Sequence, residues 1–92
     1  MIRSFRDKET ERVFRREFSR RLQPVAAVGK RKLDQLHAAT SLWDLAAVPG
    51  NRLEALSSDR AGQHSIRIND QFRLCFRWTG KDAIEVEIVD YH

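Results

Sequence analysis

Three short runs in the last third of the chain alternate apolar and polar residues, and they constrain the fold more than any other feature. They occupy residues 64–68, 72–78 and 84–88. Strict alternation is the period of a β-strand that buries one face and exposes the other. The pattern therefore predicts an antiparallel sheet with one apolar face.

The connection between the first two runs determines how their strands pair. Ile68 and Phe72 share a face only if an odd number of residues joins the strands, which favours a loop at 69–71 over a two-residue turn. Arg67 then lies opposite Arg73 on the polar face. Like charges in that position are unfavourable, so the pair indicates an anion nearby.

The third run should bring a set of reactive side chains to this arginine pair. If it returns through the turn at 79–81, its last residues run toward Arg73. Asp90, Tyr91 and His92 would then place a carboxylate, a phenol and an imidazole beside the guanidinium groups. Such a set can transfer protons and hold a phosphate. A simpler interpretation is also open, in which Arg73 and Arg77 form cross-strand ion pairs with Glu85 and Glu87.

Side-chain parity leaves the orientation of these residues open as well. Strict alternation from Ile84 through Val86 and Ile88 puts Asp90 and His92 on the core side. Tyr91 would then share the polar face with Arg73, unless the strand ends or bulges near Val89.

Composition limits the classes of protein to consider. The 92 residues predict one domain, 1–92, with a modest core. The single cysteine, Cys75, excludes an internal disulfide and a cysteine-rich zinc site. We expect no metal or cofactor, because no metal-ligand spacing or phosphate-binding glycine motif is found. Charged residues follow Ile2 directly and no long apolar run occurs, so we expect a soluble cytoplasmic protein with no membrane partner.

Positive charge is concentrated in the first part of the chain. Residues 1–35 carry eleven Lys and Arg against five Asp and Glu, whereas residues 36–92 carry six against eight. This distribution favours a polyanionic partner such as RNA or DNA, with Arg15, Arg16 and Arg20 as candidate phosphate contacts. A solvated helical face in a basic protein explains the charge equally well.

The remaining segments predict a helical hairpin before the sheet. Asp7 can cap a helix running from about Lys8 to Arg20, with residues 14, 18 and 22 on one apolar stripe. Pro24 suits the first turn of a second helix. We expect residues 41–50 to form a partly helical connector with Trp43 in the core. With short strands at 2–5 and 52–56, the order is β-α-α-β-β-β-β, an α+β fold.

Several motifs together resemble one known family. They are Pro49-Gly-Asn-Arg-Leu-Glu-Ala-Leu56, Asp59-Arg-x-Gly62-Gln63-x-Ser65-Ile-Arg-Ile-Asn69, Arg73-Leu-Cys-Phe76 and Asp90-Tyr91-His92. In this order they resemble the HigB (host inhibition of growth) toxins of the RelE/ParE superfamily. The resemblance covers nearly the whole chain, although residues 17–45 match only in helical character.

The resemblance implies a RelE-like fold and a ribosome-dependent endoribonuclease that cleaves translated mRNA. It also implies a helix-turn-helix antitoxin of the HigA type, which neutralises the toxin and links it to operator DNA. By position, Asp90, Tyr91 and His92 match the family's catalytic residues and Arg73 matches an arginine on the scissile phosphate. Arg67 lies in the matching strand.

One departure and two other functions stay open at this point. Glu54 stands where some relatives have a histidine, so a mechanism with two histidines does not transfer, and Glu54 becomes a candidate base if it faces the site. Relatives of the ParE type poison gyrase by binding, without an enzymatic reaction. A nucleic-acid binder without nuclease activity would also use the basic first third.

Overall fold

The sheet predicted from the alternating runs has four antiparallel strands, each paired with the next one along the chain. In the computed structural model, which describes residues 1–90, these strands are β1 (Glu54–Ala55), β2 (Gln63–Arg67), β3 (Phe72–Trp78) and β4 (Ala83–Asp90). The helices of this part of the chain are α1 (Lys8–Phe14), α2 (Ala26–Ala38) and α3 (Leu42–Ala46), with 3-10 turns at Gln23–Val25 and Ser58–Arg60. The α+β class is confirmed. No helix within residues 1–90 is long and apolar enough to span a bilayer.

The register of β2 and β3 is the one that parity requires. Arg67 lies opposite Arg73, and the N–H of Ile68 donates to the carbonyl of Phe72 with an N···O distance of 3.0 Å. The side-chain oxygen of Asn69 accepts hydrogen bonds from two backbone N–H groups at the far side of the loop. The three-residue connection is therefore confirmed.

A β-bulge interrupts the predicted alternation in β4. Cys75 pairs with Glu87, and Arg77 pairs with Ile84. Two positions of β3 therefore correspond to three positions of β4, which contains one extra residue. Glu85 lies in the bulge with φ of 52°. Ile84 consequently shares a face with Arg77, and the prediction that it lies on the core side is wrong.

Helix α1 begins as predicted and is capped by the residue named from sequence. The carboxylate of Asp7 accepts a hydrogen bond from the N–H of Thr10 at 3.3 Å. The Thr10 hydroxyl in turn accepts the N–H of Ile88 at 2.8 Å. This buried contact fixes the first turn of the helix against β4.

The same helix ends well before the predicted residue. The N–H of Glu17 donates to the carbonyl of Arg12 at 2.8 Å and that of Arg16 to Val13 at 3.2 Å. These two bonds, with Arg16 at φ of 62°, form a Schellman motif that turns the chain out of the helix. The prediction of a helix to about Arg20 is therefore wrong.

Helix α2 covers the apolar face of the sheet, as expected for the second arm of the hairpin. Leu33 and Leu36 are fully buried. Gly29 allows a close approach, because a Cβ at this position would lie 3.2 Å from the Cδ1 of Ile88 in β4. The core combines these helical side chains with those of the sheet, including Val13, Leu22, Val25, Ile66, Leu74, Phe76, Val86 and Ile88.

Helix α3 is short and faces the core with one side. Ser41 and Asp44 form a reciprocal capping box at its start. A hydrogen bond from the backbone of Thr40, reinforced by the Thr40 and Ser41 side chains, lowers the pKa of Asp44. Leu45 is buried, but Trp43 is 76% exposed. Trp43 was expected in the core, and that prediction is wrong because residues two apart on a helix point in nearly opposite directions.

Residues 2–6 lie along the outer edge of β4. Isolated parallel bridges join Ile2 to Ala83 and Phe5 to Val86. Backbone N–H groups of each segment donate to backbone carbonyls of the other, with N···O distances of 2.8 to 3.1 Å. The predicted edge strand is thus found in position, reduced to two bridges.

Candidate active site

Arg73 extends from β3 across the polar face of the sheet to β1. Its Nη1 donates to Ser65 Oγ at 3.0 Å, and its Nη2 donates to Glu54 Oε1 at 3.1 Å. Glu54 pairs with Ser65 in the β1–β2 ladder, so the two acceptors lie side by side. The Arg73 side chain is 14% exposed and that of Glu54 is 51% exposed. The guanidinium of Arg73 is therefore held in place by two acceptors, a buried hydroxyl and a solvent-accessible carboxylate.

Arg67 lies opposite Arg73 as predicted but has its own carboxylate. Its Nη2 forms an ion pair with Asp70 in the exposed loop that joins β2 to β3. Glu54 and Asp70 thus balance the two arginines within the protein. An external anion is not needed to explain the arginine pair, and a bound phosphate would compete with these carboxylates.

Cross-strand ion pairing accounts for the next arginine along β3. The Nε of Arg77 lies 3.0 Å from Glu85 Oε2. Glu87 instead contacts Arg60 at 2.8 Å. The simpler interpretation is therefore confirmed for Arg77 with Glu85, whereas Arg73 pairs with Glu54.

Arg60 is a candidate residue that sequence reasoning did not single out. Its Nη1 donates to Gln63 Oε1 at 3.0 Å as well as to Glu87. The buried thiol of Cys75 lies close by: burial raises its pKa, the charge of Arg60 lowers it, Glu87 raises it and Arg73 lowers it. Arg60 thus belongs to the same polar face as Arg73. The signal in the sequence was its place in the polar loop directly before β2.

The last described residue of β4 lies beside the arginine site. Val89 pairs with Arg73 and Asp90 pairs with Phe72. Asp90 is exposed, and its Oδ2 accepts a hydrogen bond from Gln71 Nε2 at 3.0 Å. The ladder is regular here, so no bulge occurs at Val89, and Asp90 shares the face of Phe72, opposite to that of Arg73. Tyr91 and His92, the other predicted catalytic residues, lie outside the described residues.

Lys32 is an unexpected buried charge on the helical side of the sheet. It is 7% exposed, and its Nζ donates to Asn51 Oδ1 at 2.5 Å. The carbonyl of Asn51 accepts the N–H of Arg67, which links α2 to the end of β2. Burial lowers the pKa of Lys32, and the charges of Arg31 and Arg67 lower it further.

The three candidate phosphate-binding arginines of the first third lie away from this site. Arg15 caps the end of α1 and forms an ion pair with Glu11 at 2.9 Å. Arg16 and Arg20 follow in the exposed connection to α2. They belong to the helical layer, whereas Arg73 lies on the opposite face of the sheet. No group of three His, Cys, Asp or Glu side chains within residues 1–90 is arranged to hold a metal ion.

Comparison with known proteins identifies the family of this arrangement. The sequence model of the family described as "RelE-like toxin of type II toxin-antitoxin system HigB" matches residues 3–92. Toxin HigB-1 of Vibrio cholerae serotype O1 is 40% identical over 86 residues, which cover 91% of this chain and 90% of the Vibrio protein. An uncharacterised protein of Haemophilus influenzae is 36% identical over 53 residues, covering 58% of this chain and 52% of that protein.

A solved structure has the same fold at low sequence identity. The YoeB/ParE toxin from Agrobacterium tumefaciens superposes with a TM-score of 0.52 and 18% identity, and the match covers 96% of both chains. At this identity the similarity concerns the arrangement of helices and strands alone.

Proposed function

The chain belongs to the HigB family of RelE-like toxins from type II toxin-antitoxin systems, and from that premise we propose that it is a ribosome-dependent endoribonuclease that cleaves mRNA and stops translation. The observation that carries this proposal is the guanidinium of Arg73, held between buried Ser65 and accessible Glu54. Arginine presents a planar fork that matches a phosphate group. Arg67 and Arg60 add positive charge on the same face.

A substrate phosphate would replace the Glu54 carboxylate on Arg73. Ser65 is fully buried and keeps its contact with the guanidinium. Glu54 is half exposed, so its side chain can rotate away at little cost. The exchange leaves a carboxylate next to the bound phosphate, where a general base is required.

The proposed reaction is attack of the RNA 2′-hydroxyl on the adjacent phosphorus. The bond from the 2′-oxygen to phosphorus forms and the bond from phosphorus to the 5′-oxygen breaks, so the substrate itself supplies the nucleophile and the protein needs no metal ion. Glu54 accepts the proton of the 2′-hydroxyl, and His92 donates a proton to the leaving 5′-oxygen. Arg73 stabilises the charge that develops on the phosphate.

Asp90 and Tyr91 complete the proposed set. Val89 pairs with Arg73 and Asp90 pairs with Phe72 on the other face, so what supports a role for residues 90–92 is that β4 ends next to the Arg73 site. An imidazole exchanges protons near neutral pH, and a neighbouring carboxylate favours its charged form. We assign Tyr91 to hydrogen bonding with the substrate or to stacking on a base.

We also propose a cytoplasmic helix-turn-helix antitoxin of the HigA type as the protein partner, and operator DNA as an indirect partner through it. Membership of a toxin-antitoxin family supports an antitoxin. A neighbouring reading frame that encodes a small helix-turn-helix protein, and whose coexpression restores growth, would identify it.

The proposal is tested on purified ribosomes that carry a defined mRNA. Primer extension should show new mRNA ends with the full chain, and His92→Gln should lower the cleavage rate more than Tyr91→Phe does. A parallel reaction with gyrase and supercoiled DNA tests the alternative, since the similar solved structure bears a name shared with ParE. Broken DNA with intact mRNA would replace our proposal by gyrase poisoning, and binding without damage to either would leave only a nucleic-acid binder.

A further inference from the structure

An exposed aromatic residue lies in the most basic connection of the molecule. Phe18 is 66% exposed, and residues 15–21 around it carry four arginines and one glutamate. A large apolar side chain in such a position has no role in the core. Its surroundings indicate what it contacts.

The connection holds Phe18 outward through its neighbours. Ser19 is buried, and its hydroxyl donates to Glu9 Oε1 at 2.7 Å while it accepts the N–H of Leu22 at 3.2 Å. Leu22 is completely buried, and Arg21 binds Asp7 at 2.8 Å. Turning Phe18 into the core would break these contacts. The backbone that carries the ring is therefore anchored on both sides while the ring faces solvent, which lowers the backbone entropy lost when it binds a partner.

The charges beside the ring are only partly balanced. Arg15 and Arg21 pair with Glu11 and Asp7, whereas Arg16 and Arg20 form no ion pair with any residue in the 1–90 range. A shallow depression of about 290 Å³ adjoins the connection, lined by Lys8, Glu11, Arg12, Arg15 and Glu17. Arg16 and Arg20 stand two positions before and after Phe18 in the sequence, as phosphates stand on both sides of a base in a nucleic-acid strand.

We propose that Phe18 stacks on an unpaired base of ribosomal RNA while Arg16 and Arg20 contact the phosphates on either side. Aromatic side chains in a positively charged groove bind single strands in this way, because every base offers a π-face. The inference rests on the proposed action at the ribosome and adds a docking contact outside the Arg73 site. It accounts for an aromatic residue that neither the core nor the chemistry uses.

Trp43 provides a matched control within the chain. It is even more exposed than Phe18, at 76%, but residues 38–51 around it contain one charged residue, Asp44. An exposed ring without cations lacks the phosphate contacts of the proposed site. Trp43→Ala should therefore leave ribosome binding unchanged.

The experiment measures binding to vacant 70S ribosomes, which carry no mRNA, over a series of salt concentrations. Phe18→Ala should weaken binding by about tenfold or more with the salt dependence unchanged, because no charge is lost. Phe18→Tyr should bind normally, while Phe18→Leu should bind as poorly as Phe18→Ala. Arg16→Gln and Arg20→Gln should each reduce the salt slope by about one phosphate contact.

Other outcomes overturn the inference without touching the proposed function. Normal binding by Phe18→Ala, with normal mRNA cleavage, would show that the ring does not contact ribosomal RNA. Full recovery by Phe18→Leu would indicate an apolar contact with a ribosomal protein instead of stacking on a base. Conversely, a wild-type chain that binds vacant ribosomes through Phe18 but cuts no mRNA would retain the inference and remove the enzymatic proposal. Thermal unfolding of each exposed variant checks that it is folded.

Discussion

The two faces of β3 show how one strand serves stability and binding with different chemistry. Phe72, Leu74 and Phe76 point into the core and are at most 7% exposed. Arg73 and Arg77 alternate with them and form ion pairs at 3.1 and 3.0 Å. The apolar side chains make many non-directional contacts. Each of these side chains can be replaced only by one of similar volume. The arginines each depend on one or two specific partners.

This difference has a consequence for function. A carboxylate bound to an arginine can be exchanged for a phosphate without moving the backbone, because both anions accept from the same fork. The apolar face offers no such exchange, since removing any of its groups leaves a cavity. We therefore expect mutations on the two faces to separate folding from activity.

The largest expected effect is on stability from the core face. Phe76 is completely buried and lies beside His64 and Trp78, with ring centroids 6.2 and 6.4 Å away. Phe76→Ala should lower the free energy of unfolding by about 3–5 kcal/mol. Arg77→Gln, one position along, should cost about 1 kcal/mol or less. Urea denaturation measures both, and equal losses would remove the distinction between the faces.

The next effect is on activity from the polar face. Arg73→Gln should lower mRNA cleavage by about 10²-fold, as when one preorganised charge stabiliser is deleted. Arg73→Lys should recover part of the rate, because lysine keeps the charge but lacks the fork. Arg77→Gln is the matched control and should cleave normally.

Glu54 sharpens this prediction through a double-mutant cycle. If Glu54 is the base, Glu54→Gln should slow cleavage further in the Arg73→Gln background. If it only positions Arg73, the second change should add nothing. An Arg73→Gln protein that is clearly destabilised but cleaves normally per folded molecule would make Arg73 a structural residue.

The smallest effect concerns the one buried lysine on the helical side. Burial lowers the pKa of Lys32 in the folded chain below its ordinary value of 10.5. At pH values between the lowered and the ordinary pKa, the unfolded chain binds more protons than the folded chain does. Lys32 therefore makes stability rise with pH in this alkaline window. Lys32→Met should remove that rise.

The measurement is urea denaturation across alkaline pH in a Cys75→Ala background. The background is needed because burial raises the pKa of the Cys75 thiol, which lowers stability as pH increases above about 9.0. Lys30→Met, on the same helix, controls for the loss of a positive charge. A rise that persists in Lys32→Met would have to come from another group.

Periodicity predicted the parts of the fold that depend on repeating contacts. The alternation around Ile66 and Leu74 determined the register of β2 and β3, and with it the opposition of Arg67 and Arg73. The arrival of the end of β4 beside Arg73, which pairs with Val89, followed from the same argument. The partners of Arg73 did not follow, because Glu54 reaches it across a strand from a two-residue β1.

The misses occur where single residues override a periodic pattern. Arg16 takes the left-handed position that ends α1, a place usually occupied by glycine, so no residue signalled the end. Phe18 therefore does not lie on the predicted apolar stripe of residues 14, 18 and 22. Glu85, also at positive φ, introduced the bulge that moved Ile84 to the other face. Such exceptions depend on tertiary contacts that local sequence does not encode.

The placement of residues 2–6 against β4 also bears on the order in which the protein can assemble during its own synthesis. Ser4 accepts the N–H of Glu85 across 81 positions of sequence at 2.9 Å. Contacts this distant in sequence form late, because a long loop must close first. A nascent chain that has not yet released β4 cannot bring Asp90 next to β3. The proposed catalytic face therefore cannot assemble before β4 has been synthesised. Any activity of that face is delayed until then.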